Sequence, residues 1–88
     1  MKIKNSAKAG TLESNDCLIE ISPDDDISIE VDSNVYDQFK EQIDSTIHQT
    51  LDEHDIDGAK VRMEDRGALD CTIKARLTTA IRRSNEEA

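Results

Sequence analysis

The sequence predicts an α+β fold, a two-layer sandwich in which two helices cover one face of a small, mainly antiparallel sheet. Three observations support this prediction. In three short segments every second residue is apolar, as in half-buried strands. In two longer segments apolar residues recur every three or four positions, as in amphipathic helices. These segments follow the order β-β-α-β-α along 88 residues, a length that suits a single domain, residues 1–88.

The pattern is β-like from Ala9 to Ser22, and the three segments with clear alternation cover residues 17–22, 27–32 and 59–64. The alternation in each of them predicts one buried face and one face toward solvent. Residues 23–26, one proline and three aspartates, separate the first two strands with residues that favour turns. A break of four residues suits a hairpin, so these two strands are predicted to pair antiparallel.

The first predicted helix covers residues 35–54 and follows Ser33 and Asn34, two residues that cap helices well. Its apolar stripe consists of Tyr36, Phe39, Ile43, Ile47 and Leu51. The second predicted helix follows Gly67, with Asp70 near its start, where negative charge is favoured. Its apolar stripe consists of Leu69, Ile73, Leu77, Ala80 and Ile81, with Arg82 and Arg83 in the last turn.

The apolar content is just sufficient for a small fold. Ile, Leu, Val and Phe supply 19 of the 88 residues, close to the level below which a strongly charged chain usually stays disordered. Nearly every large aliphatic side chain must therefore be buried, while residues 1–8 and 84–88 are predicted to be flexible. No apolar run is long enough to cross a membrane or to follow Lys2 and Lys4 as a secretion signal. We therefore expect a soluble, cytoplasmic protein.

The net charge is −9, and its distribution disfavours nucleic acid as a partner. Residues 9–65 alone carry a charge of −14, which would repel phosphate backbones. One tyrosine, one phenylalanine and no tryptophan leave few side chains on which bases could stack. An acidic surface instead favours docking onto basic patches of protein partners.

Cysteine and histidine give no sign of a reactive centre. Cys17 and Cys71 are predicted to be small buried hydrophobic residues, because a reducing compartment disfavours a disulfide and two cysteines do not make a zinc cluster. His48 and His54 are six residues apart and would project to different faces of a helix. The chain contains neither a G-x-S-x-G elbow nor a glycine-rich phosphate loop, so we predict no catalytic residue.

Residues 53–64 deserve comparison with a calcium-binding EF-hand loop. Counted from Glu53, acids occupy positions 1, 3, 5 and 12, and glycine occupies position 6. Three features disagree with such a loop: Glu53 stands where Asp is usual, Lys60 replaces an apolar residue, and Gly67 interrupts the exiting helix. We therefore predict no metal site and keep a calcium-binding module as an alternative.

Two blocks of the sequence resemble those of a known family. Residues 9–16, Ala-Gly-Thr-Leu-Glu-Ser-Asn-Asp, look like the N-terminal signature of citrate lyase acyl carrier proteins, the gamma subunits of that complex. Residues 65–77, Asp-Arg-Gly-Ala-Leu-Asp-Cys-Thr-Ile-Lys-Ala-Arg-Leu, resemble the second block of the same family. The spacing of the blocks and the length of the chain also fit, so the resemblance covers nearly the whole chain.

The resemblance implies a carrier subunit rather than an enzyme. In this family the serine that matches Ser14 carries a 2'-(5''-phosphoribosyl)-3'-dephospho-coenzyme A group through a phosphodiester, attached by a prosthetic-group transferase. The terminal thiol of this group holds acetyl and then citryl. The alpha subunit, a transferase, exchanges acetyl for citrate, and the beta subunit, a lyase, cleaves the citryl thioester to oxaloacetate.

The remaining residues of the two blocks receive structural interpretations. Glu13 and Asp16 are expected to help dock the turn that carries Ser14 onto the prosthetic-group transferase. Residues 67–70 suit a tight connection between a strand and a helix. Arg76 is expected on a solvated helix face, with a subunit contact as the alternative.

Two other interpretations stay open beside the calcium module. The carrier subunit of malonate decarboxylase uses a related prosthetic group on a serine, although residues 65–77 favour citrate lyase. A non-covalent acidic adaptor would use Ser14 only as a turn residue, which is all that composition and periodicity show.

Overall fold

The computed structural model describes residues 1–33 and 36–86, except for the side chain of Tyr36. Within these residues the bounds of the elements are β1 Ala7–Gly10, β2 Cys17–Ser22, β3 Ile27–Ser33, α1 Tyr36–Glu53, β4 Ala59–Asp65 and α2 Asp70–Ser84. The predicted α+β sandwich is confirmed, and each predicted element lies close to its predicted bounds. The predicted cap at Asn34 and the first predicted helical residue, 35, lie outside the described residues, as do 87 and 88.

The four strands form one sheet in the order β1-β2-β4-β3. β2 pairs antiparallel with both β1 and β4, whereas β3 pairs parallel with β4. The predicted hairpin between β2 and β3 is therefore wrong, because β4 lies between these two strands. β3, α1 and β4 form a βαβ unit, in which the crossover helix brings β4 back parallel to β3. A short break between two strands does not reveal such a crossover.

The N-terminal residues contribute more to the fold than their composition predicts. β1 is not among the predicted strands, although Ala9 and Gly10 lie in the stretch predicted to be β-like; it pairs with β2 and forms one edge of the sheet. Ile3 is only 2% exposed, and its backbone N–H donates to the Gly58 carbonyl oxygen at 2.9 Å. Residues 1–8 thus take part in both the core and the sheet, and their flexibility in solution stays a prediction.

The core lies between the sheet and the two helices. β2 and β4 direct alternate side chains toward it, and burial of one such side chain contributes about 1.5–3 kcal/mol. The buried strand residues are Cys17, Ile19, Ile21, Ala59, Val61 and Met63. The helices cover them with Ile43, Ile47, Leu51, Ile73, Leu77, Ala80 and Ile81.

Three residues that were predicted to be buried are exposed. Phe39 is 45% exposed, at a position where α1 departs from helical dihedral angles, with φ −121° and ψ 18°. Leu69 is 70% exposed and immediately precedes α2. Cys71 is exposed because it lies off the apolar stripe of α2, whereas Cys17 is buried as predicted.

The other face of the sheet is charged and open to solvent. Basic and acidic side chains from neighbouring strands pair across it, with Arg62 lying 3.3 Å from Glu30 and 3.9 Å from Glu20. Such exposed pairs add little to stability, but they give the charged side chains on this solvent-facing side of the sheet partners of opposite charge. No helix among the described residues is long and apolar enough to span a membrane.

Candidate functional site

Ser14 lies in the loop that joins β1 to β2, residues 11–16, hereafter the Ser14 loop. Ser14 is exposed, as are the loop residues Leu12, Glu13 and Asn15. The loop begins after Gly10, whose φ of +104° favours glycine. An added Cβ at Gly10 would lie 1.8 Å from the Cys17 carbonyl oxygen, so only glycine fits this close approach of the two strands.

Asp16 holds the Ser14 loop from within. Its carboxylate is buried and accepts hydrogen bonds from the Thr11 hydroxyl at 2.7 Å and from the Cys17 backbone N–H at 2.7 Å. Arg76 of α2 donates to both carboxylate oxygens, from Nε at 3.0 Å and from Nη2 at 2.9 Å. A two-pronged contact of this kind fixes orientation as well as distance, so it ties the loop to α2.

The charges of this pair stabilise each other. Hydrogen bonds from Arg76, from Thr11 and from the Cys17 backbone hold the pKa of the Asp16 carboxyl well below its usual range. Asp16 in turn raises the pKa of Arg76. The expectation that Arg76 lies on a solvated helix face is only partly met: its side chain is 41% exposed, but its guanidinium binds a carboxylate 60 residues away in the sequence.

A second attachment joins the Ser14 loop to the segment between β4 and α2, residues 66–69, hereafter the β4–α2 connection. The Asn15 N–H donates to the Arg66 carbonyl oxygen at 2.7 Å, and the Arg66 N–H donates to the Asp16 carbonyl oxygen at 2.9 Å. Asn15 has a φ of 64°, a conformation that Asn tolerates better than most residues. The structure thus brings together the two sequence blocks on which the family resemblance depends.

Asp65 shapes the β4–α2 connection from beneath. It is 1% exposed, and its two carboxylate oxygens accept the Ala68 N–H and the Ser33 hydroxyl, each at 2.8 Å. Gly67 follows with a φ of +88°. The predicted tight connection between strand and helix is confirmed, with Asp70 as the first residue of α2.

Glu13 and Asp16 were both predicted to help dock the Ser14 loop, but the structure places their side chains differently. Asp16 is buried with both oxygens bound within the chain, so its expected part in docking on another protein is wrong. Glu13 is exposed and remains available for such a role, which nothing in the structure tests. The Asp16–Arg76 pair could not be predicted from the sequence, because the two residues lie in different blocks and neither block shows by itself that they meet.

Cys17, next to the loop, is a structural residue. Burial raises the pKa of its thiol to about 12, and the charges of Asp16 and Asp65 add to this effect. A thiol that stays protonated near neutral pH is a poor nucleophile and a poor metal ligand.

The acids of the possible calcium loop do not converge. Glu53 pairs with Lys74 at 3.1 Å, Asp57 pairs with the N-terminal amine at 3.1 Å, and Glu64 lies in β4. Among the described residues, no group of three or more His, Cys, Asp or Glu side chains could hold a metal ion. His48 is exposed, and His54 Nδ1 lies 2.8 Å from the Thr50 carbonyl oxygen.

Comparisons with known proteins extend over nearly the whole chain. The family model for acyl carrier proteins described as malonate decarboxylase delta subunit (MdcD) matches residues 4–84. A citrate lyase acyl carrier protein of Treponema denticola is 49% identical to this chain over 99% of this chain and 100% of its own length. A protein of the same name from Haemophilus influenzae is 46% identical over 100% of this chain and 93% of its own length. One from Streptococcus pyogenes is 49% identical over 96% of this chain and 84% of its own length.

The fold also occurs in solved structures. A chain in the crystal structure of a Pseudomonas malonate decarboxylase hetero-tetramer in complex with malonate aligns with a TM-score of 0.72. The alignment covers 97% of this chain and 89% of that chain, at 15% sequence identity. At that identity the similarity shows a shared fold and no more.

Proposed function

This chain belongs to the family of citrate lyase acyl carrier proteins, and from this premise we propose that Ser14 is the residue to which its prosthetic group is attached. The observation that carries the proposal is the exposure of Ser14 in a loop that the buried Asp16 and the β4–α2 connection both hold. A hydroxyl in such a position is open to a modifying enzyme, while the residues on either side of it stay fixed.

The Ser14 loop has room for a bulky substituent on the serine oxygen. Leu12, Glu13 and Asn15 are exposed together with Ser14, so the serine lies in an open stretch of surface rather than in a pocket. The bonds that hold the loop come from Thr11, Asp16 and the backbone, and none of them uses the Ser14 hydroxyl. A phosphodiester on the serine oxygen would therefore leave these bonds in place.

We propose 2'-(5''-phosphoribosyl)-3'-dephospho-coenzyme A as the attached group. When bound, it supplies a terminal thiol that can hold an acyl group as a thioester. The residues of this chain position the group, because Ser14 provides the point of attachment and the Asp16–Arg76 pair fixes the loop against α2. Similarity to acyl carrier proteins supports a non-catalytic acyl carrier.

The partners that we propose are the alpha and beta subunits of a cytoplasmic citrate lyase, which would convert citrate to acetate and oxaloacetate. A tethered acyl group reaches both active sites at a high effective concentration without leaving the complex. Malonate decarboxylase is the second candidate, because the family model that matches the chain is described as the delta subunit of that complex. The Treponema, Haemophilus and Streptococcus relatives, at 46–49% identity over nearly the whole chain, are named for citrate lyase, which favours the first candidate.

Reconstitution tests the proposal. Purified alpha and beta subunits that lack a carrier are supplied with this chain after treatment with the prosthetic-group transferase and chemical acetylation of the terminal thiol, and oxaloacetate formation from citrate is measured. Wild type and the control Ser45→Ala, an exposed serine of α1, should support the reaction, and Ser14→Ala should abolish it. Full activity of Ser14→Ala would instead favour the non-covalent adaptor, and activity only with malonate decarboxylase subunits would favour the second candidate.

A further inference from the structure

An apolar groove lies between the start of α1 and the β4–α2 connection. Phe39, Ile43, Ala68 and Leu69 line it, together with Asp65 and Asp70, and its volume is about 400 Å³. Among the described side chains of the two predicted apolar stripes, those of Phe39 and Leu69 are exposed. Large exposed apolar side chains that converge on one concave surface are typical of a binding site.

Local structure does not account for Leu69. It occupies the N-cap position of α2, with φ −75° and ψ 160°, and forms no side-chain cap bond. Ser, Thr, Asp or Asn would serve better there, since their oxygen atoms accept a backbone N–H of the first turn. With 70% of its surface exposed, Leu69 contributes neither the burial nor the capping that the fold could use at this position.

The groove is continuous with the Ser14 loop. Arg66, at the start of the β4–α2 connection, exchanges two backbone hydrogen bonds with Asn15 and Asp16. An added Cβ on Gly67, which lines the groove, would lie 3.6 Å from the Asn15 side-chain oxygen. A protein that receives a group tethered at Ser14 would therefore meet the groove as it approaches the loop.

The charge around the groove indicates the chemistry of the occupant. Asp70 lines the groove and Asp37 is exposed in the first turn of α1, two residues before Phe39. An apolar centre beside exposed carboxylates complements a surface that presents an apolar side chain flanked by Lys or Arg. A second copy of this chain, with a net charge of −9, and the phosphate groups of a tethered nucleotide both have the wrong sign.

We propose that this groove is the docking site for a catalytic subunit of the complex, which inserts an apolar side chain between Phe39 and Leu69 and places basic residues beside Asp70. This inference rests on the proposed carrier function and specifies the surface through which the carrier meets its partners. The buried, well-packed apolar contact would supply most of the affinity, and the acidic rim would orient the approach.

The test compares three variants of the full chain for binding to the purified alpha and beta subunits by calorimetry. Leu69→Ser and Phe39→Ser remove the two exposed apolar side chains, and Leu18→Ser on the open face of the sheet is the control. For at least one subunit, Leu69→Ser should weaken binding about tenfold, as expected for loss of an interface anchor. Its melting temperature should stay equal or rise, because serine is the better N-cap.

Three results would overturn the docking proposal. Equal affinities of wild type, Leu69→Ser and Phe39→Ser would exclude the groove as the interface. Dimerisation of wild type that Leu69→Ser abolishes would assign the groove to a second copy. The third result combines two observations. If loading of Ser14 shifts only the NMR signals of residues 67–70, and the variants bind the subunits as wild type does, the groove belongs to the tethered group. Binding is measured both before and after treatment of each chain with the prosthetic-group transferase. A wild type that takes no adduct would contradict the carrier function, independently of the docking result.

Discussion

At the scale of single residues, the Asp16 carboxylate determines how Ser14 is presented. Four hydrogen bonds reach it, from Thr11, from the Cys17 backbone and twice from Arg76. These donors favour the ionised form and together fix both ends of the loop against β2 and α2. Ser14 can therefore be exposed without belonging to a disordered segment.

The depressed pKa of Asp16 predicts a particular dependence of stability on pH. Above about pH 4, the ordinary range for an unfolded aspartate, the carboxylate is ionised in both states and its bonds contribute fully to folding. As the pH falls below this range, the unfolded state binds the proton first and the contribution is lost. The difference in free energy of unfolding between wild type and Asp16→Asn should thus be largest near neutral pH and shrink in acid.

Urea denaturation at a series of pH values measures this difference. Glu13→Gln, which removes an exposed carboxylate from the same loop, is the matched control and should differ little from wild type at any pH. Arg76→Ala should lower stability near neutral pH and reduce the acid sensitivity. A difference between wild type and Asp16→Asn that stays constant across the series would contradict the assignment.

At the scale of elements, the two connections that meet beside Ser14 depend on glycine for different reasons. Gly10 has a positive φ and no space for a Cβ, which would lie 1.8 Å from the Cys17 carbonyl oxygen. Gly67 has a positive φ but an ordinary distance of 3.6 Å from a Cβ to the Asn15 side-chain oxygen. The first position is restricted by both sterics and backbone conformation, and the second by backbone conformation alone.

This contrast predicts the relative cost of two alanine substitutions. Gly67→Ala should lower the free energy of unfolding by about 1–2 kcal/mol, the usual cost of a positive φ for a residue with a Cβ. Gly10→Ala should cost clearly more, because the β1–β2 pairing must also shift. Chemical denaturation of both variants measures the two losses, and equal losses would show that the close approach at Gly10 is relieved without cost.

Periodicity predicts the individual elements well and their arrangement poorly. Residues 17–22 and 59–64 alternate because one face of each strand packs on the helices, so the pattern marks both strands. Nothing in the pattern shows that Val61 pairs with both Ile21 and Ile29, since strand pairing depends on contacts across the whole fold. β1 gives a weak signal because Ala7 and Ala9 are small and have low β-propensity.

For the candidate site, too, the sequence predicts local features but not the contacts between distant segments. The position of Ser14 in an exposed turn follows from its polar neighbours, whereas its importance comes from the resemblance of residues 9–16 and 65–77 to one family. The contact between these blocks, through Asp16, Arg66 and Arg76, is a tertiary feature that spacing along the chain does not encode.

At the scale of the whole molecule, the two faces of the sheet and the end that carries Ser14 have different surroundings. One face of the sheet is covered by the helices, and the other is exposed to solvent and carries ion pairs between neighbouring strands. The Ser14 loop and the groove at Phe39 and Leu69 lie together at the end of the molecule where β4 meets α2. A carrier built in this way would present its attached group and its docking surface to a partner in the same encounter.

The proposed carrier function depends most directly on the chemical state of Ser14. The decisive measurement is the intact mass of the chain after incubation with the prosthetic-group transferase and its activated precursor, followed by fragmentation to locate any adduct. We expect an increment equal to phosphoribosyl-dephospho-coenzyme A on Ser14, and none on Ser14→Ala. An unmodified wild-type chain, under conditions in which the same transferase loads another citrate lyase carrier, would contradict the account, as would an adduct at any other residue.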